Sequence, residues 1–412
     1  MNKTRIFLGL LLLLLIMDVC KAEKTGDVWR RDTLTSGFWG LNENLENEGI
    51  EMDFGVTNIY QSNAKGGLST HNKRGRYSGS YDLEMSTDLQ KLLGWDSGTI
   101  FLHLEGGWPD QEGIDGLSVG SAFGVNADAG GNDNILVKQL YYEGPIFSDR
   151  LTMMIGKIDF TGVFDTSAYA DDECSQFINA AFVDNPTIPF PAYSLGATLN
   201  WDITDSWYLL GGIADAQADS RETGFRTTFH DEDYFFYALE TGITTQLKSA
   251  NGPMPGAYRV GLWNDPQPKS NSDGTKNYRD DIGVYTSCDQ MLCKENSDPE
   301  DSQGLGAFFR YGYAPGKKND ITNFFSFGFH YQGLLHGRDD DVLGLAFAQG
   351  IFSNSADTTY TDDHENAVEL YYNAQVATWL NISPSVQYIT NPGGNKTAND
   401  AVVMGVRAQM AF

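Results

Sequence analysis

The last residues of the chain alternate strictly between two kinds of side chain. Arg407 and Gln409 occupy one parity, and the other parity is wholly apolar, with Val402, Met404, Val406, Ala408, Met410 and Phe412. A period of two is typical of a strand with two different faces. An apolar face that runs unbroken to a terminal Phe is expected of a barrel strand that faces lipid. An edge strand of a soluble sandwich is the alternative that this segment leaves open.

The same alternation recurs upstream, for example in residues 366–379, 324–334 and 304–313. Read in this way, the chain contains about sixteen strands between residues 49 and 412, an even number as in bacterial membrane barrels. Most connections are short and long in turn, and the long ones are residues 61–76, 108–133, 160–192, 216–232 and 265–279. Short periplasmic turns and long outer loops produce this order. The sequence therefore predicts an all-β protein, a transmembrane antiparallel β-barrel spanning residues 49–412.

The N-terminal residues predict export. Lys3 and Arg5 precede an apolar run and a polar patch that ends at Ala22, which is the order of a secretory signal, so residues 1–22 are assigned to a signal peptide. Residues 23–48 form an N-terminal segment in which Leu41 and Leu45 are one helical turn apart, which predicts a short amphipathic helix. This helix could plug the periplasmic mouth of the barrel or merely lead into its first strand.

The charge balance excludes nucleic acid as a partner. The 412 residues include 28 Lys and Arg against 55 Asp and Glu, a net charge of -27, whereas phosphate contacts require clustered basic side chains. Past residue 17, no run approaches the roughly 20 apolar residues of a spanning helix. A membrane location would therefore have to use strands.

No motif for catalysis, a cofactor or a metal ion is evident. The six His residues have no HExxH spacing, and no GxSxG or phosphate-loop string is present. Beyond the signal, Cys174, Cys288 and Cys293 are too few for a disulfide framework, although Cys288 and Cys293 could pair across a turn. The sequence thus predicts a protein that is not an enzyme and needs no cofactor.

Several strings resemble the OprB-type carbohydrate-selective porins of Gram-negative outer membranes, and they occur in order along nearly the whole chain. They include Phe38–Leu41, Asp88–Trp95, Gly156–Asp159, Phe177–Asn179, Asn185–Pro191, Phe308–Gly312, Arg338–Gly344 and Pro384–Gly394. The resemblance implies a sixteen-stranded barrel in outer-membrane lipid, as a monomer or a homo-oligomer such as a trimer. It also implies that carbohydrates, either mono- or small oligosaccharides, diffuse through the barrel into the periplasm.

Other functions remain open at this point. A general diffusion porin that prefers cations would also fit the acidic chain, and a barrel can serve as the scaffold of an adhesin or an outer-membrane enzyme. A soluble, exported, lectin-like β-sandwich is a further alternative.

A diffusion pore needs a constriction whose polar groups replace part of the water around a solute, together with aromatic faces on which sugars can rest. Loop 160–192 is the main candidate, because its length and its many Phe residues favour folding into the lumen over a surface flap. Asp165 and Tyr169 would supply charge and a stacking surface there. The remaining candidate pore-lining residues are charged side chains at polar-face positions, namely Arg76, His103, Glu105, Lys157, Asp159, Arg259 and Arg310. Their mixed sign suits a neutral polyhydroxylated solute.

Overall fold

The computed structural model describes residues 28–72, 74–95, 97–108, 113–129, 134–229, 232–270, 276–298, 302–355 and 360–412. The assigned signal peptide, residues 1–22, lies outside the described residues. No helix in the described part of the chain is both long and apolar enough to cross a membrane.

Strands dominate the structure, and all but one small hairpin belong to a single antiparallel sheet. The first half of that sheet consists of β1 (Ile50–Gly67), β2 (Gly75–Ser78 continued by Ser80–Asp88), β3 (Thr99–Gly107), β4 (Leu136–Ile146), β5 (Ser148–Ile158), β6 (Ser194–Thr204), β7 (Trp207–Asp215) and β8 (Phe235–Ser249). The second half consists of β9 (Gly252–Asp265), β10 (Asp281–Lys294), β11 (Gly304–Tyr313), β12 (Ile321–Gln332), β13 (Val342–Phe352), β14 (His364–Ala377), β15 (Leu380–Thr390) and β16 (Asn399–Ala411).

Both parts of β2 pair with β1 and are parted only by Gly79, so they make one barrel strand. Gly79 has a φ of 129°, and a Cβ there would lie 2.1 Å from the carbonyl oxygen of Thr57, so the interruption requires glycine. With β2 counted once, the predicted sixteen strands are confirmed.

The sheet closes on itself because β1 also pairs with β16, from Gly55 opposite Ala411 to Asn63 opposite Val403. Closure leaves no strand edge among the paired segments, which satisfies the requirement that backbone groups in hydrocarbon find partners within the protein. The barrel is a transmembrane barrel, as the sequence predicts.

The two faces of β16 follow the predicted parity. The side chains of Met404 and Val406 are 53% and 41% exposed, whereas Arg407, on the opposite face of the same strand, is 1% exposed. Outward side chains on neighbouring strands are equally apolar and exposed, among them Phe327, Phe329, Leu345, Leu370, Val386 and Tyr388. This apolar outer surface is the one that lipid covers.

The N-terminal segment runs along the rim of the barrel at the end where β16 finishes. A 3₁₀ turn (Val28–Arg30) places Trp29 against Trp379, with ring centroids 5.7 Å apart, and the Leu34 amide donates to the carbonyl of Ala411 at 2.8 Å. Helix α1 (Ser36–Asn47) then leads into β1, and its Asn42 side chain donates to the Met52 carbonyl. Of the two roles open from the sequence, these contacts favour a lead-in along the rim.

The other helical segments are short. They are α2 (Leu89–Leu93), a π-helical turn (Asp115–Val119), α3 (Ala180–Val183), α4 (Phe225–Thr228) and a 3₁₀ turn (Pro392–Gly394), and the small separate hairpin pairs Lys269–Ser270 with Asn277–Tyr278.

The proposed pairing of Cys288 with Cys293 is wrong. Both residues lie on β10, five positions apart, and a strand rises about 3.3 Å per residue, so their Cα atoms are on the order of 16 Å apart. A disulfide needs Cα atoms within roughly 7 Å. Cys174, Cys288 and Cys293 are all free thiols.

The outward position of Val406 generates a prediction about folding. We expect Val406→Arg to impair insertion into lipid vesicles, because an arginine facing mid-bilayer costs roughly 2–4 kcal/mol. Val406→Leu is the matched control and should insert like the unchanged protein. Insertion is measured by the mobility shift of the unboiled, folded barrel on SDS gels. Equal insertion of both variants would contradict the assignment of this face to lipid.

Candidate functional site

Loop 159–193, between β5 and β6, crosses the inside of the barrel and packs against the wall on two sides. On one side Phe160, Phe164 and Ile188 join a buried cluster with Phe236 and Trp263 of β8 and β9. On the other side a second cluster combines side chains of the loop with inward residues of β11 and β14, namely Phe177, Phe182, Phe308 and Tyr371. The prediction that this loop folds into the lumen is therefore confirmed.

Glycine at inward positions of the barrel wall leaves room for the loop to pack closely against it. A Cβ at Gly306 of β11 would lie 2.2 Å from the ring of Tyr169, and a Cβ at Gly312 would lie 2.0 Å from the hydroxyl oxygen of Thr187. Both approaches are shorter than any real contact, so larger residues here would push the loop away from the wall. Tyr169 thus packs on the wall, and its ring is also 5.4 Å from that of His330.

Arg310 is the main polar contact between the wall and the loop. Its Nη1 donates to the carbonyls of Phe182 and Val183 at 2.8 and 3.0 Å, and its Nη2 donates to the carbonyl of Asp165 at 3.0 Å and to Asp171 Oδ1 at 2.5 Å. Asp165 Oδ2 lies 3.8 Å from Nε, and the arginine side chain is 1% exposed. A charge so deeply buried is tolerated only with such partners.

Three more inward charges hold the loop backbone in the same way. Arg407 donates to the carbonyls of Glu173 and Gln176 at 2.6 and 2.9 Å. Glu369 accepts from the amides of Ile178 and Asn179 at 3.1 and 2.8 Å. Glu240 accepts from the Asp165 amide at 2.9 Å and from the hydroxyl groups of two wall tyrosines, Tyr208 and Tyr285. The positively charged arginine thus contacts backbone carbonyls, and the negatively charged glutamates contact backbone amides.

A second loop, between β3 and β4, also folds into the lumen. The side chains of Gln61 and Gln387 both donate to the carbonyl of Val125, and Glu365 accepts from the Ala122 amide at 2.8 Å. The two loops then bond to each other, from the Ala180 amide to the Gly124 carbonyl and from the Ala127 amide to the Ile178 carbonyl. The inward folding of this loop was not predicted from the sequence. Its apolar residues, which need a buried position, could have indicated it, namely Ile114, Val119, Phe123 and Val125.

The wall of β2–β4 keeps a group of partly exposed charged side chains. His103 Nε2 lies 3.0 Å from Asp82 Oδ1, and Lys138 Nζ lies 3.0 Å from Glu105 Oε1. Loop carboxylates interact with this wall, since Asp172 acts electrostatically on Glu84 and Glu173 interacts with Glu105. We call these wall residues (Asp82, Glu84, His103, Glu105 and Lys138), together with Asp172, Glu173 and Asp184 of the loop, the acidic gap.

Burial changes the protonation of the loop carboxyls. Burial raises the pKa of Glu173 to about 8, with the nearby charge of Asp172 adding to the effect. Desolvation inside the lumen, with the charge of Asp159 adding to it, raises the pKa of the exposed Asp184 to about 6. Burial raises the pKa of Asp171 to about 7, although Arg310 opposes the rise. The acidic gap is consequently less negative at pH 5 than at pH 9.

The predicted pore-lining residues fall into separate groups. His103 and Glu105 lie in the acidic gap, and Asp159 at the start of the loop interacts electrostatically with His103 and Lys138. Asp165, Tyr169 and Arg310 meet in the contact between loop and wall. Arg259 pairs with Asp289 at 2.8 Å, and Arg76 is exposed at the outer end of β2, where it donates to the Gly75 carbonyl.

Lys157 was expected to line the pore, and the register of β5 corrects this. Its alternation puts Lys157 on the same face as Ile155, which is 48% exposed on the outside. The Lys157 ammonium donates to the carbonyls of Ser220 and Glu222 in the loop after β7. Because lysine is charged, it was expected on the inward face of the strand. In the structure, the loop that covers the outer end of the strand provides hydrogen-bond acceptors for the ammonium group instead.

Comparison with known proteins shows the family and the fold of this chain. A family model described as Carbohydrate-selective porin, OprB family, matches residues 72–412. Porin B of Pseudomonas aeruginosa is 22% identical over 91% of this chain and 90% of its own length, and Porin AaxA of Chlamydia muridarum is 23% identical over 74% and 61%. The solved high-pH structure of Pseudomonas putida OprB superposes with a TM-score of 0.80 at 20% identity, over 94% of this chain and 100% of that one, which shows a shared fold.

The Arg310 anchor generates a prediction. Arg310→Gln should loosen the loop, because the buried carbonyls and Asp171 lose their partner, a loss of about 3–5 kcal/mol in docking. We expect a higher and noisier single-channel conductance in planar bilayers, with the barrel still folded because the strand ladder is untouched. Arg150→Gln, which removes an exposed cation that pairs with Asp205 and makes no contact with the loop, is the control. An unchanged conductance in Arg310→Gln would show that other contacts hold the loop.

Proposed function

Because this chain belongs to the OprB family of carbohydrate-selective porins, it is an outer-membrane porin for the passive diffusion of carbohydrates, and we propose that the acidic gap selects its solutes. The observation that carries the proposal is the docking of loop 159–193 across the lumen, together with the partly exposed charged side chains that the β2–β4 wall keeps. Mono- or small oligosaccharides would pass between that wall and the loop.

The side chains in the acidic gap suit this role chemically. A sugar entering a constriction gives up part of its hydration, and carboxylates, an imidazole and an ammonium replace those hydrogen bonds with acceptors and donors. Tyr141 and Tyr193 lie beside the same wall, and the ring of Tyr193 is already in contact with the Lys138 ammonium, 4.3 Å away. Aromatic faces of this kind can support the C–H surface of a sugar ring.

The charge of the acidic gap supports a second candidate, a pore that also prefers cations in general. The acidic groups Asp82, Glu84, Glu105 and Asp172 outnumber the basic His103 and Lys138, and Glu173 adds its charge above its pKa of about 8. The whole chain carries a net charge of -27. Such a lumen raises the local concentration of cations. Neutral sugars would be almost indifferent to this field, so the two functions are compatible.

The proposal assigns no reaction to the chain, because diffusion through a constriction requires only recognition and space. The family and the fold are those of a channel. Outer-membrane lipid would cover the apolar outer surface, and the barrel would act as a monomer or as a homo-oligomer such as a trimer.

The role of the loop can be tested with sugars of graded size. Deleting Asp171 to Asn185 removes Phe177 and Phe182 from the wall, so we expect a trisaccharide to enter proteoliposomes at a rate closer to that of a hexose. Swelling rates measure this ratio. Removing Asp219 to Glu222, in the loop that bonds to Lys157 outside the lumen, is the control and should leave the ratio unchanged. If the shortened constriction loop still excludes the trisaccharide as before, selection occurs elsewhere.

The acidic gap also predicts ion selectivity that depends on pH. A carboxyl with a raised pKa is neutral below that pKa and charged above it, so Asp184, at about 6, and Glu173, at about 8, become negative as the pH rises. The reversal potential in a KCl gradient should show cation preference that increases from pH 5 to pH 9 and weakens near 1 M salt, where screening shortens to about 3 Å. Glu173→Gln should flatten the upper part of this dependence. Anion preference at pH 9 would contradict the proposal.

A further inference from the structure

The register of β2 and β3 places four potential ligand residues in one block on the inner wall. Asp82 pairs directly with Glu105, and Glu84 pairs with His103. His103 and Glu105 are two positions apart on their strand, so both point into the lumen, as do Asp82 and Glu84. Side chains directly opposite one another on neighbouring strands have Cβ atoms about 4.5–5.5 Å apart. The block therefore presents one imidazole and three carboxyl groups to the same small volume.

The ligand atoms are already close enough for one ion. A nitrogen or oxygen atom from each of Asp82, His103 and Glu105 lies within 4.8 Å of the others, and His103 Nε2 is 3.0 Å from Asp82 Oδ1. Zinc binds nitrogen and oxygen at about 2.0–2.2 Å, so its ligands stand roughly 3.4 Å from one another in a tetrahedron. Small side-chain rotations would bring the three groups into this arrangement.

A buried carboxyl group beside the block has an oxygen atom that lacks a hydrogen-bond partner. Asp128, in the loop between β3 and β4, is 9% exposed, and its Oδ2 has no hydrogen-bond partner among the described residues. Asp128 interacts with Ser80 and electrostatically with Asp82 and Glu105, and the Ser80 hydroxyl donates to Asp82 Oδ2 at 2.9 Å. An oxygen atom without a partner in a buried site is costly, and a cation bound in the neighbouring block would give this oxygen a favourable electrostatic contact.

We propose that Asp82, His103 and Glu105 bind a divalent transition-metal ion, Zn²⁺, on the pore wall. An imidazole combined with carboxylates suits zinc and its neighbours in the first transition series, whereas Mg²⁺ and Ca²⁺ prefer oxygen ligands alone. Water from the lumen completes the coordination, and Glu84 stands opposite His103 as a further acceptor.

Lys138 has a second position available when the ion binds. Its ammonium bonds to Glu105 at 3.0 Å, and it also lies 4.3 Å from the centre of the Tyr193 ring. An ammonium held against an aromatic face keeps part of its stabilisation. The lysine can therefore release Glu105 to the metal without losing every partner.

Binding has two consequences for transport. The ion and its water molecules occupy space beside the path of the solute, which lowers conductance, and two positive charges offset the carboxylates of the acidic gap, which weakens cation preference. Both effects are reversible when a chelator removes the metal.

The direct test is titration of the detergent-purified, full-length protein with ZnCl₂ by isothermal calorimetry. We expect one saturable site per chain, absent with MgCl₂, and an affinity lower by roughly tenfold or more in His103→Gln. His330→Gln is the matched control, because it removes another inward histidine, one that lies beside the ring of Tyr169 rather than among the block's carboxyl groups. This variant should bind zinc as the unchanged protein does.

Other results decide against the site. Absence of saturable zinc binding, equal affinity in His103→Gln and the unchanged protein, or equally strong Mg²⁺ binding would each overturn the proposal. If His103→Gln fails to fold, as judged by the unboiled gel band, Glu105→Gln answers the same question. Sugar-dependent swelling is measured on the same preparations. If the unchanged protein binds no zinc but swells normally with sugars, the metal site alone is refuted, whereas absence of sugar-dependent swelling in the unchanged protein refutes the transport role.

Discussion

The structure depends on one constraint, which is that no backbone amide or carbonyl can remain unpaired in hydrocarbon. Pairing between β1 and β16 meets this constraint by closing the sheet. Closure has a second effect, because it converts the polar face of every strand into the wall of an enclosed space. What fills that space then determines what the barrel can do.

The wall fills its interior by holding loop backbone with buried charges. Arg310 and Arg407 donate to carbonyls, whereas Glu369, Glu365 and Glu240 accept from amides, so both polarities of the peptide group are matched. Apolar clusters on both sides add contact area. These charges thus act on the solute indirectly, by fixing the loop. The side chains of the acidic gap on β2–β4 keep partial exposure.

The alternation of Val402 to Phe412 was sufficient to predict the lipid face, and the alternation of long and short connections was sufficient for the strand count, because both are local properties of the chain. The site was predicted less completely. Arg310 was correctly expected to point inward, but only the folded loop shows that backbone carbonyls, rather than solvent, surround it. Asp82, Glu84 and Lys138 were missed because their proximity to His103 and Glu105 depends on strand register, and Lys157 was misplaced because a distant loop covers it.

The contacts along the rim join the N-terminal segment to β16 and to the turn before β15. Trp379 donates to the carbonyl of Val28 across 351 positions, and Leu34 bonds to Ala411. Because loop closure over a large sequence separation is slow, we expect these contacts and the pairing of β1 with β16 to form late. This pairing can form only after β16 has been translocated, so β1 must be kept from pairing wrongly in the periplasm until β16 has arrived.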